Sequence, residues 1–463
     1  MVLLHTAYFL LVTIIKREDR MLKKLNSKII VVGIILLVST GIFFNARVKN
    51  VLAVSGGTYD NLKTFAEVLS LIESNYVEDV KSEDLVHGAI KGMLKTLDPH
   101  SSFMTPDIYK EVQVETEGEF GGLGIEITLK NDIVTIVAPI EDTPADKAGL
   151  KAGDKIVKID GETTRDMTVM DAVKRMRGKE GTKVTLTIMR EGFEEPKDFA
   201  ITRAVIKIKS VKYQMMDETI GYIKIKSFSK STTDELDIAL KSVTKNKING
   251  LVLDLRNDPG GLLNQAVEVC DRFLEKGQLI VYTKSKKEEQ NLKFSSSGRG
   301  AYLDFPMIVI VNAGSASASE IVAGALQDLK RAVILGTQTF GKGSVQTIIP
   351  LSDGSALKLT TAKYYTPKGR VIQGKGITPD IVVEVPVLLA KAGGVTPSEA
   401  GVIREKDLKN HLKGDESAPE GEKKPTVEIK GKIGEEDPQL ERAVALLKSW
   451  NLFQQIKGAT TPK

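Results

Sequence analysis

The sequence has 463 residues, 41% of them hydrophobic and 27% charged, which is enough for two or three domains with a sizeable core. The formal net charge is only +5, and both signs are mixed along the chain, so we expect no nucleic-acid partner. A single cysteine, Cys270, excludes disulfides within the chain and cysteine-based zinc sites; its amphipathic surroundings predict a buried apolar side chain, not a nucleophile.

The histidines limit the chemistry further. There are four, and none lies between residues 101 and 410: His5, His87, His100 and His411. A Ser-His-Asp triad inside the main body is therefore excluded, unless one of these outlying histidines reaches in. Because histidine and cysteine do not cluster anywhere, no metal and no organic cofactor are expected.

The amino terminus has the sequence pattern of a membrane-targeting segment. A basic segment, Met21–Lys28, precedes an apolar run, Ile29–Ala46, which is just long enough to cross a bilayer. Lysines before the run predict a single-pass cell-membrane protein whose body lies on the extracytoplasmic, periplasmic side. Cleavage near Val51–Ala53 is the alternative, but we favour an uncleaved anchor. Translation starting at Met21 would make residues 1–20 an over-extended gene start.

Beyond the anchor, the apolar period changes twice. It is helical from Leu62 to about Leu97, and has a period of two from about Val112. From about Val205 strand and helix patterns alternate, which is typical of an α/β core. The alternating runs are Gly250–Leu255, Leu262–Leu274, Met307–Val311, Ser319–Leu329 and Ala332–Leu335.

The chain is thus predicted to divide into five segments. They are a cytoplasmic tail with the anchor (1–56), a helical segment (57–111), a β-rich domain (112–202), an α/β core (203–385) and a carboxyl-terminal region (386–463). Within the last segment, residues 412–426 are charged and poor in hydrophobic side chains, which predicts disorder. Asp437–Leu447 follows as a capped terminal helix.

A glycine-rich turn inside Glu119–Ile127 leads directly into a strand. Such a turn can direct successive backbone N–H groups at an anion, and the strand offers an edge to an extended peptide. With the motifs Thr143–Leu150, Ala152–Gly161 and Met170–Met176 in order behind it, the segment resembles a PDZ domain. That resemblance implies capture of peptide carboxyl termini, with the carboxylate contacts made by Gly122, Leu123, Gly124 and Ile125.

Three serines alternate after the strand-like run Met307–Val311: Ser315, Ser317 and Ser319. Ser317 and Glu320 form a Ser-x-x-Glu capping box, so the simplest interpretation of Ser317 is a helix N-cap. The same place also suits a nucleophile, because a helix amino terminus offers unpaired N–H groups and positive potential to an oxyanion.

A second glycine-bounded motif carries Lys342, between Gly341 and Gly343. A free lysine has a pKa of about 10.4, so as a base at neutral pH it must lose about three units, roughly 4 kcal/mol, through burial. Taken alone, a lysine in a glycine turn is ordinarily exposed.

Four motifs occur in order behind the PDZ-like segment: Asp254–Gly261, Gly314–Glu320, Phe340–Gln346 and Leu357–Arg370. From about Leu62 to Val385 the sequence resembles the carboxyl-terminal processing proteases, also called tail-specific proteases. The resemblance implies a serine/lysine dyad on a crotonase-like α/β core, with an inserted, mostly-β PDZ domain that feeds in substrate tails.

Carried over by motif, the resemblance makes Ser317 the nucleophile and Lys342, 25 positions later, its general base. Gln346 would orient the lysine, because residues i and i+4 of a strand share a face. The oxyanion donors would be the backbone amides of Ala318 and Gly260.

Three neighbouring residues take secondary roles in this scheme. Ser315 and Ser319 become small packing or capping residues. Asp258 stands where the family often has asparagine; we expect this change to be harmless, although it puts a carboxylate near the oxyanion turn.

Three interpretations follow: an active serine/lysine endopeptidase, a PDZ scaffold whose protease core is catalytically inactive, and a crotonase-like acyl-CoA enzyme. Intact Ser317, Lys342 and Gln346 argue against the second, and the exported location argues against the third. The expected partners are protein substrates, held by their carboxyl-terminal tails, and the membrane. The oligomeric state stays open, with a homodimer as one option.

Overall fold

The computed structural model describes residues 56–245, 247–299, 302–384, 403–415, 427–430 and 437–459. The chain divides into two compact units, one ending at Ala89 and the other beginning at Ile90. The predicted anchor, Ile29–Ala46, lies outside the described residues. Among the helices that are described, none is long and apolar enough to cross a membrane.

Two helices lie at the start of the described chain, α1 (Gly56–Asn75) and α2 (Ser82–Lys95). A short strand, β1 (Ser102–Met104), and a helix, α3 (Pro106–Glu117), come next. Helix α3 begins with a proline in its first turn and ends at Gly118, which has left-handed backbone angles. The period of two predicted from Val112 is therefore wrong for Val112–Glu117, because the capped helix continues to that point.

An antiparallel sheet with its own apolar core forms the β-rich part. Strands β2 (Glu119–Gly122) and β9 form a separate two-stranded sheet. The six-stranded sheet has the order β3-β4-β5-β7-β8, and β6 pairs with β5. Strand β3 is thus an edge strand. The elements are β3 (Ile125–Lys130), β4 (Ile133–Pro139), α4 (Pro144–Lys147), β5 (Lys155–Ile159), β6 (Glu162–Thr163), α5 (Val169–Met176), β7 (Lys183–Met189), β8 (Lys197–Thr202) and β9 (Ala204–Lys207).

A seven-stranded sheet forms the α/β core, in the order β10-β11-β12-β15-β16-β19-β20. Strands β11 to β20 are parallel, and β10 is antiparallel to β11. Its elements are β10 (Val211–Met215), β11 (Ile220–Ile225), α6 (Thr232–Val243), β12 (Gly250–Asp254), α7 (Leu263–Asp271), β15 (Met307–Val311), α8 (Ala318–Asp328), β16 (Val333–Gly336), β19 (Ile381–Glu384), β20 (Val427–Lys430) and α9 (Pro438–Ala459).

The core is buried on both faces of this sheet. Leu251 and Leu253 of β12 pack with the apolar side chains of α6, α7 and α8, while Val252 packs with Ala443 and Leu447 of α9. Every residue of β12 and of β15 is buried, which explains why β15 and the part of β12 before Asp254 are apolar.

A separate antiparallel sheet of five strands, ordered β1-β18-β13-β14 with β17 also on β18, completes the fold. Its remaining strands are β13 (Leu279–Ser285), β14 (Lys293–Ser295), β17 (Ser344–Pro350) and β18 (Ala356–Tyr365).

Two expectations for the carboxyl-terminal region can be compared with the structure. The helix expected at Asp437–Leu447 is present as α9, which continues to Ala459. Disorder was predicted for 412–426, but Lys363 Nζ donates to the Lys413 carbonyl at 2.6 Å, and Tyr365 OH donates to Asp415 at 3.3 Å. The prediction is therefore wrong for 412–415, while 416–426 lies outside the described residues.

Candidate active site

The candidate residues lie where neighbouring parallel strands end. The turn that carries Asp258 and Gly260 follows β12, and the segment that carries Ser317 follows β15. Carboxyl ends of parallel strands meet at one edge of a sheet, which is the usual place for a ligand site in open α/β folds. Burial of β12 and β15 on both faces fixes the position of these two loops.

The three alternating serines differ in what their hydroxyl groups do. Ser315 Oγ donates to the Leu255 carbonyl at 2.8 Å, and Ser319 Oγ donates to the Asp258 carbonyl at 3.0 Å. Both side chains are fully buried, and both tie the serine segment to the turn after β12. The hydroxyl of Ser317, by contrast, makes no capping bond, and no partner for it occurs among the described residues.

Ser317 also has a rare backbone conformation, with φ 54° and ψ −110°. Such angles are costly for a residue with a side chain and are found mainly at functional sites. The Glu320 amide donates to the Ser317 carbonyl at 2.9 Å, and the Glu320 carboxylate accepts the Ser317 amide at 2.9 Å. The strained turn thus leaves the hydroxyl available for chemistry.

Gly260 lies against this serine. A Cβ atom on Gly260 would lie 2.9 Å from Ser317 Cβ and 2.9 Å from the Ala318 amide nitrogen, and its φ is +98°. Only glycine fits there without strain. Ala318 begins α8, so its N–H has no acceptor within the helix. Ser317, Gly260 and the Ala318 amide are therefore brought together as the sequence predicted.

Glu320 connects the serine to the lysine loop. Its carboxylate is fully buried and accepts the amides of Ser317 and Lys342, each at 2.9 Å. It also accepts the Gly341 amide at 2.8 Å and the Thr339 hydroxyl. Burial raises the pKa of Glu320 to about 7, against the pull of these donors. The sequence revealed Glu320 only as a capping residue, because the lysine loop that shares it lies more than 20 positions away.

Lys342 has the surroundings of a base that can lose its proton. Burial lowers the pKa of its ammonium group, and the charge of Lys358 lowers it further. Glu405, Glu320 and Asp98 act in the opposite direction. No hydrogen bond or ion pair of Lys342 Nζ occurs among the described residues, and none joins it directly to Ser317.

Gln346 lies in β17, next to a bulge between Val345 and Gln346. Its Nε2 donates to Thr360 Oγ1 at 2.9 Å and to Ser344 Oγ at 3.1 Å. Its Oε1 is buried without a partner. The predicted bond to Lys342 is not formed in this structure, but an acceptor for the lysine amine remains unused.

Asp258 affects the proposed oxyanion turn directly. Its Oδ1 accepts the Gly260 amide at 2.8 Å, so this predicted donor is already engaged. The expectation that an aspartate here is harmless took no account of this bond. Asp258 Oδ2 is buried with no partner, and burial raises the pKa of the carboxyl to about 7.

One histidine does reach the lysine loop, which the sequence could not show. His100 Nε2 lies 2.7 Å from Glu405 Oε2, and Glu405 Oε1 accepts a bond of 2.7 Å from Gln373. Gln373 in turn accepts the amide of Gly343 at 3.0 Å. Among the described residues no histidine bonds Ser317, so His100 supports the lysine loop and does not form a triad.

The glycine-rich turn has donors in the expected place. The carbonyls of Leu123 and Gly124 accept the amides of Ala145 and Ile140, at 2.9 and 2.8 Å. Within the part of the chain that the structure describes, the amides of Leu123 and Gly124 have no acceptor. Of the other two predicted contacts, Gly122 pairs with β9, and Ile125 opens the edge strand β3.

Three protein-family models match the chain. Residues 219–383 match peptidase family S41, 111–189 match the PDZ domain, and 44–108 match the amino-terminal domain of the activating protease CtpB. A carboxy-terminal-processing protease of Bartonella bacilliformis is 48% identical over 368 residues, which cover 79% of this chain and 83% of that protein. The chain belongs to the carboxy-terminal-processing proteases of peptidase family S41. It is therefore a serine peptidase with a PDZ domain, as the motifs indicated.

Two further proteins are similar to this chain. A probable CtpA-like serine protease of Staphylococcus saprophyticus is 40% identical over 328 residues, covering 71% of this chain and 66% of that protein. The solved photosystem II D1 C-terminal processing protease is 30% identical, covers 69% of this chain and 92% of its own, and superposes with a TM-score of 0.41. Membership in a peptidase family disfavours the acyl-CoA interpretation.

Proposed function

We propose that the protein cleaves substrate proteins near their carboxyl termini, with Ser317 as nucleophile and Lys342 as general base. The observation that carries this proposal is the contrast among the three serines. Of the three alternating serines, only Ser317 has a hydroxyl without a hydrogen-bond partner among the described residues, and its Cβ lies against Gly260. The same buried carboxylate, Glu320, holds the backbones of Ser317 and Lys342.

The reaction would be acyl transfer in two steps. Neutral Lys342 takes the proton of Ser317 Oγ as the oxygen attacks the scissile carbonyl, and returns it to the leaving amine. Water then attacks the acyl-enzyme with the lysine again as base. The Ala318 amide, joined by the Gly260 amide once that group is released from Asp258, stabilises the oxyanion. Gln346 Oε1, buried and unpartnered, is available to hold the lysine amine.

Substrate selection would take place on the PDZ domain. The free amides of Leu123 and Gly124 are suited to a carboxylate, and the edge strand β3 can pair with the residues before it. A free carboxyl terminus would then raise the local concentration of the tail at Ser317.

The cellular context of the proposal rests on sequence. The basic segment Met21–Lys28 and the apolar run Ile29–Ala46 favour a membrane-anchored protein that works outside the cytoplasm. A crotonase-like core fits the alternation of strand and helix around β12 and β15. The homodimer stays an option that no contact in this chain supports.

Cleavage of a fluorogenic peptide with a free apolar carboxyl terminus tests the assignment of the dyad. Ser317→Ala should abolish cleavage. Ser315→Ala and Ser319→Ala are the controls. Ser319→Ala loses one buried hydrogen bond, worth about 1 kcal/mol, and should keep activity within about tenfold. Ser315→Ala loses its bond to the Leu255 carbonyl and the bond it accepts from the Asn312 amide, and should keep activity within about 30-fold. Equal loss in all three variants, or full activity of Ser317→Ala, would contradict the proposal.

A further inference from the structure

We propose that Asp258 is a positioning residue of the oxyanion turn, and that the enzyme turns over only while this carboxyl is neutral. The proposal rests on the proposed function, because it concerns the donors that serve Ser317. It extends beyond the dyad by assigning a role to a buried acid that the dyad mechanism does not use.

The geometry of the turn depends on Asp258 at three points. Its carbonyl accepts the Ala316 amide at 3.0 Å and the Ser319 hydroxyl at 3.0 Å, on either side of Ser317. Its Oδ1 accepts the Gly260 amide at 2.8 Å. Asp258 therefore fixes the nucleophile segment and one of the two proposed oxyanion donors together.

The charged form of Asp258 is poorly accommodated. The side chain is fully buried, and Oδ2 has no hydrogen-bond partner among the described residues. Lys224 on β11, whose charge acts on Asp258, lies 3.7 Å from Asp254 Oδ2 and pairs with that carboxylate. A buried carboxylate with one amide donor and no cation of its own favours the neutral form.

The pKa of Asp258 depends on opposing effects of its surroundings. Burial raises the pKa of Asp258 to about 7, while the Gly260 amide, the Ser319 hydroxyl and the charge of Lys224 pull it down. Asp254, at the end of β12, pairs with Arg256, and Glu320 accepts the amides of Ser317 and Lys342.

Catalysis adds a second reason for a neutral carboxyl. A tetrahedral oxyanion held at the Ala318 and Gly260 amides would lie beside the Asp258 side chain. A carboxylate there would repel the oxyanion and hold the Gly260 N–H in a charge-assisted bond, roughly twice as strong as a neutral one. The protonated acid keeps the turn in place but releases the amide more readily.

The test is the pH dependence of kcat/KM for the wild type and Asp258→Asn, from pH 5 to 9. Asparagine keeps an acceptor for Gly260 but cannot ionise. The ratio of variant to wild type should be constant at low pH and climb about tenfold per pH unit above about 7, reaching about 100-fold at pH 9. Titrations of Lys342 and Glu320 occur in both proteins and cancel in the ratio.

Two further variants support the reading of this ratio. Asp258→Ala removes the acceptor as well and should be impaired at every pH, so recovery by asparagine separates position from charge. Lys224→Gln removes the charge that favours ionised Asp258 and should keep activity to higher pH than the wild type. This variant also serves if Asp258→Asn does not fold.

A ratio that stays flat from pH 5 to 9, or a Lys224→Gln profile identical to the wild type, would overturn the role of Asp258. Failure of the proposed function would give a different result, because Ser317→Ala or Lys342→Ala would then still cleave the peptide.

Discussion

The Glu320 carboxylate has two roles: it joins the loops of Ser317 and Lys342 by hydrogen bonds, and its charge raises the pKa of Lys342. Replacement of Glu320 should separate these two roles. Oε2 accepts the amides of Ser317 and Lys342, and Oε1 accepts the Gly341 amide and the Thr339 hydroxyl. Glu320→Gln can keep its oxygen towards the first pair, so that its NH₂ group faces the second. The threonine hydroxyl can turn to accept, which leaves one amide, Gly341, opposed by a donor.

One buried donor without an acceptor costs about 1–3 kcal/mol. If that cost falls on the working geometry of the dyad, kcat of Glu320→Gln should drop about 5- to 150-fold, since 1.36 kcal/mol is tenfold. Glu320→Ala leaves all four donors without an acceptor and should be inactive. The charge of Glu320 also raises the pKa of Lys342, so its removal should move the rising part of the pH–rate profile to lower pH.

The assay is kcat and KM for a free-tailed peptide across pH, with fluorescence anisotropy of a labelled tail to report PDZ binding. Binding should be unchanged, so the loss should appear in kcat. Glu268→Gln, an exposed substitution of the same kind on α7, is the matched control and should behave as the wild type. Wild-type kcat and an unmoved pH profile in Glu320→Gln would refute the role of this carboxylate.

Three further predictions concern the base, the tail site and stability. Lys342→Arg should be as inactive as Lys342→Ala, because a guanidinium does not deprotonate, and near-normal peptide turnover by the arginine variant would exclude lysine as the base. Gly124→Ala places a Cβ 2.4 Å from Thr143 at φ +78° and should weaken binding of free-tailed but not of amidated peptide; equal loss for both would argue against a carboxylate site. The pKa of Asp258 rises from 3.8 to about 7 on folding, so the folded chain retains a proton that the unfolded chain loses, and stability falls as pH rises through that window. Asp258→Asn should remove up to about 3 kcal/mol of the fall measured by urea unfolding between pH 5 and 8, because about two pH units of the window lie in that range. An identical fall in the variant would contradict the buried ionisable group.

Much of the site could be predicted because its residues lie in short motifs next to strongly patterned strands. The buried strands are apolar, except for Asp254 at the end of β12, so their ends located the Asp258 turn and the Ser317 segment. The roles of Ser317 and Lys342 came from the family resemblance of the ordered motifs, because each motif taken alone favours a helix cap or an exposed lysine.

What the sequence missed depends on contacts between distant parts of the chain. Glu405 is fully buried, yet it lies on 403–415, a segment with little apolar pattern, and its bonds to His100 and Gln373 span 305 and 32 positions. The bond from Gly260 to Asp258 is local, but a turn of this kind could not be distinguished by residue type from one that leaves the amide free. The end of helix α3 was placed too early, at residue 111 instead of Glu117, because none of its residues is buried and its apolar pattern is weak.

The most direct test of the dyad is covalent labelling with a fluorophosphonate probe, followed by peptide mapping, in the wild type and in Lys342→Arg over a range of pH. We predict a single adduct on Ser317, and a labelling rate whose rising limb in the pH profile has a pKa below the value of about 10.4 of a free lysine. Lys342→Arg should lack this rising limb. An adduct on Ser315 or Ser319, or labelling of Ser317 at an undiminished rate in Lys342→Arg, would contradict it.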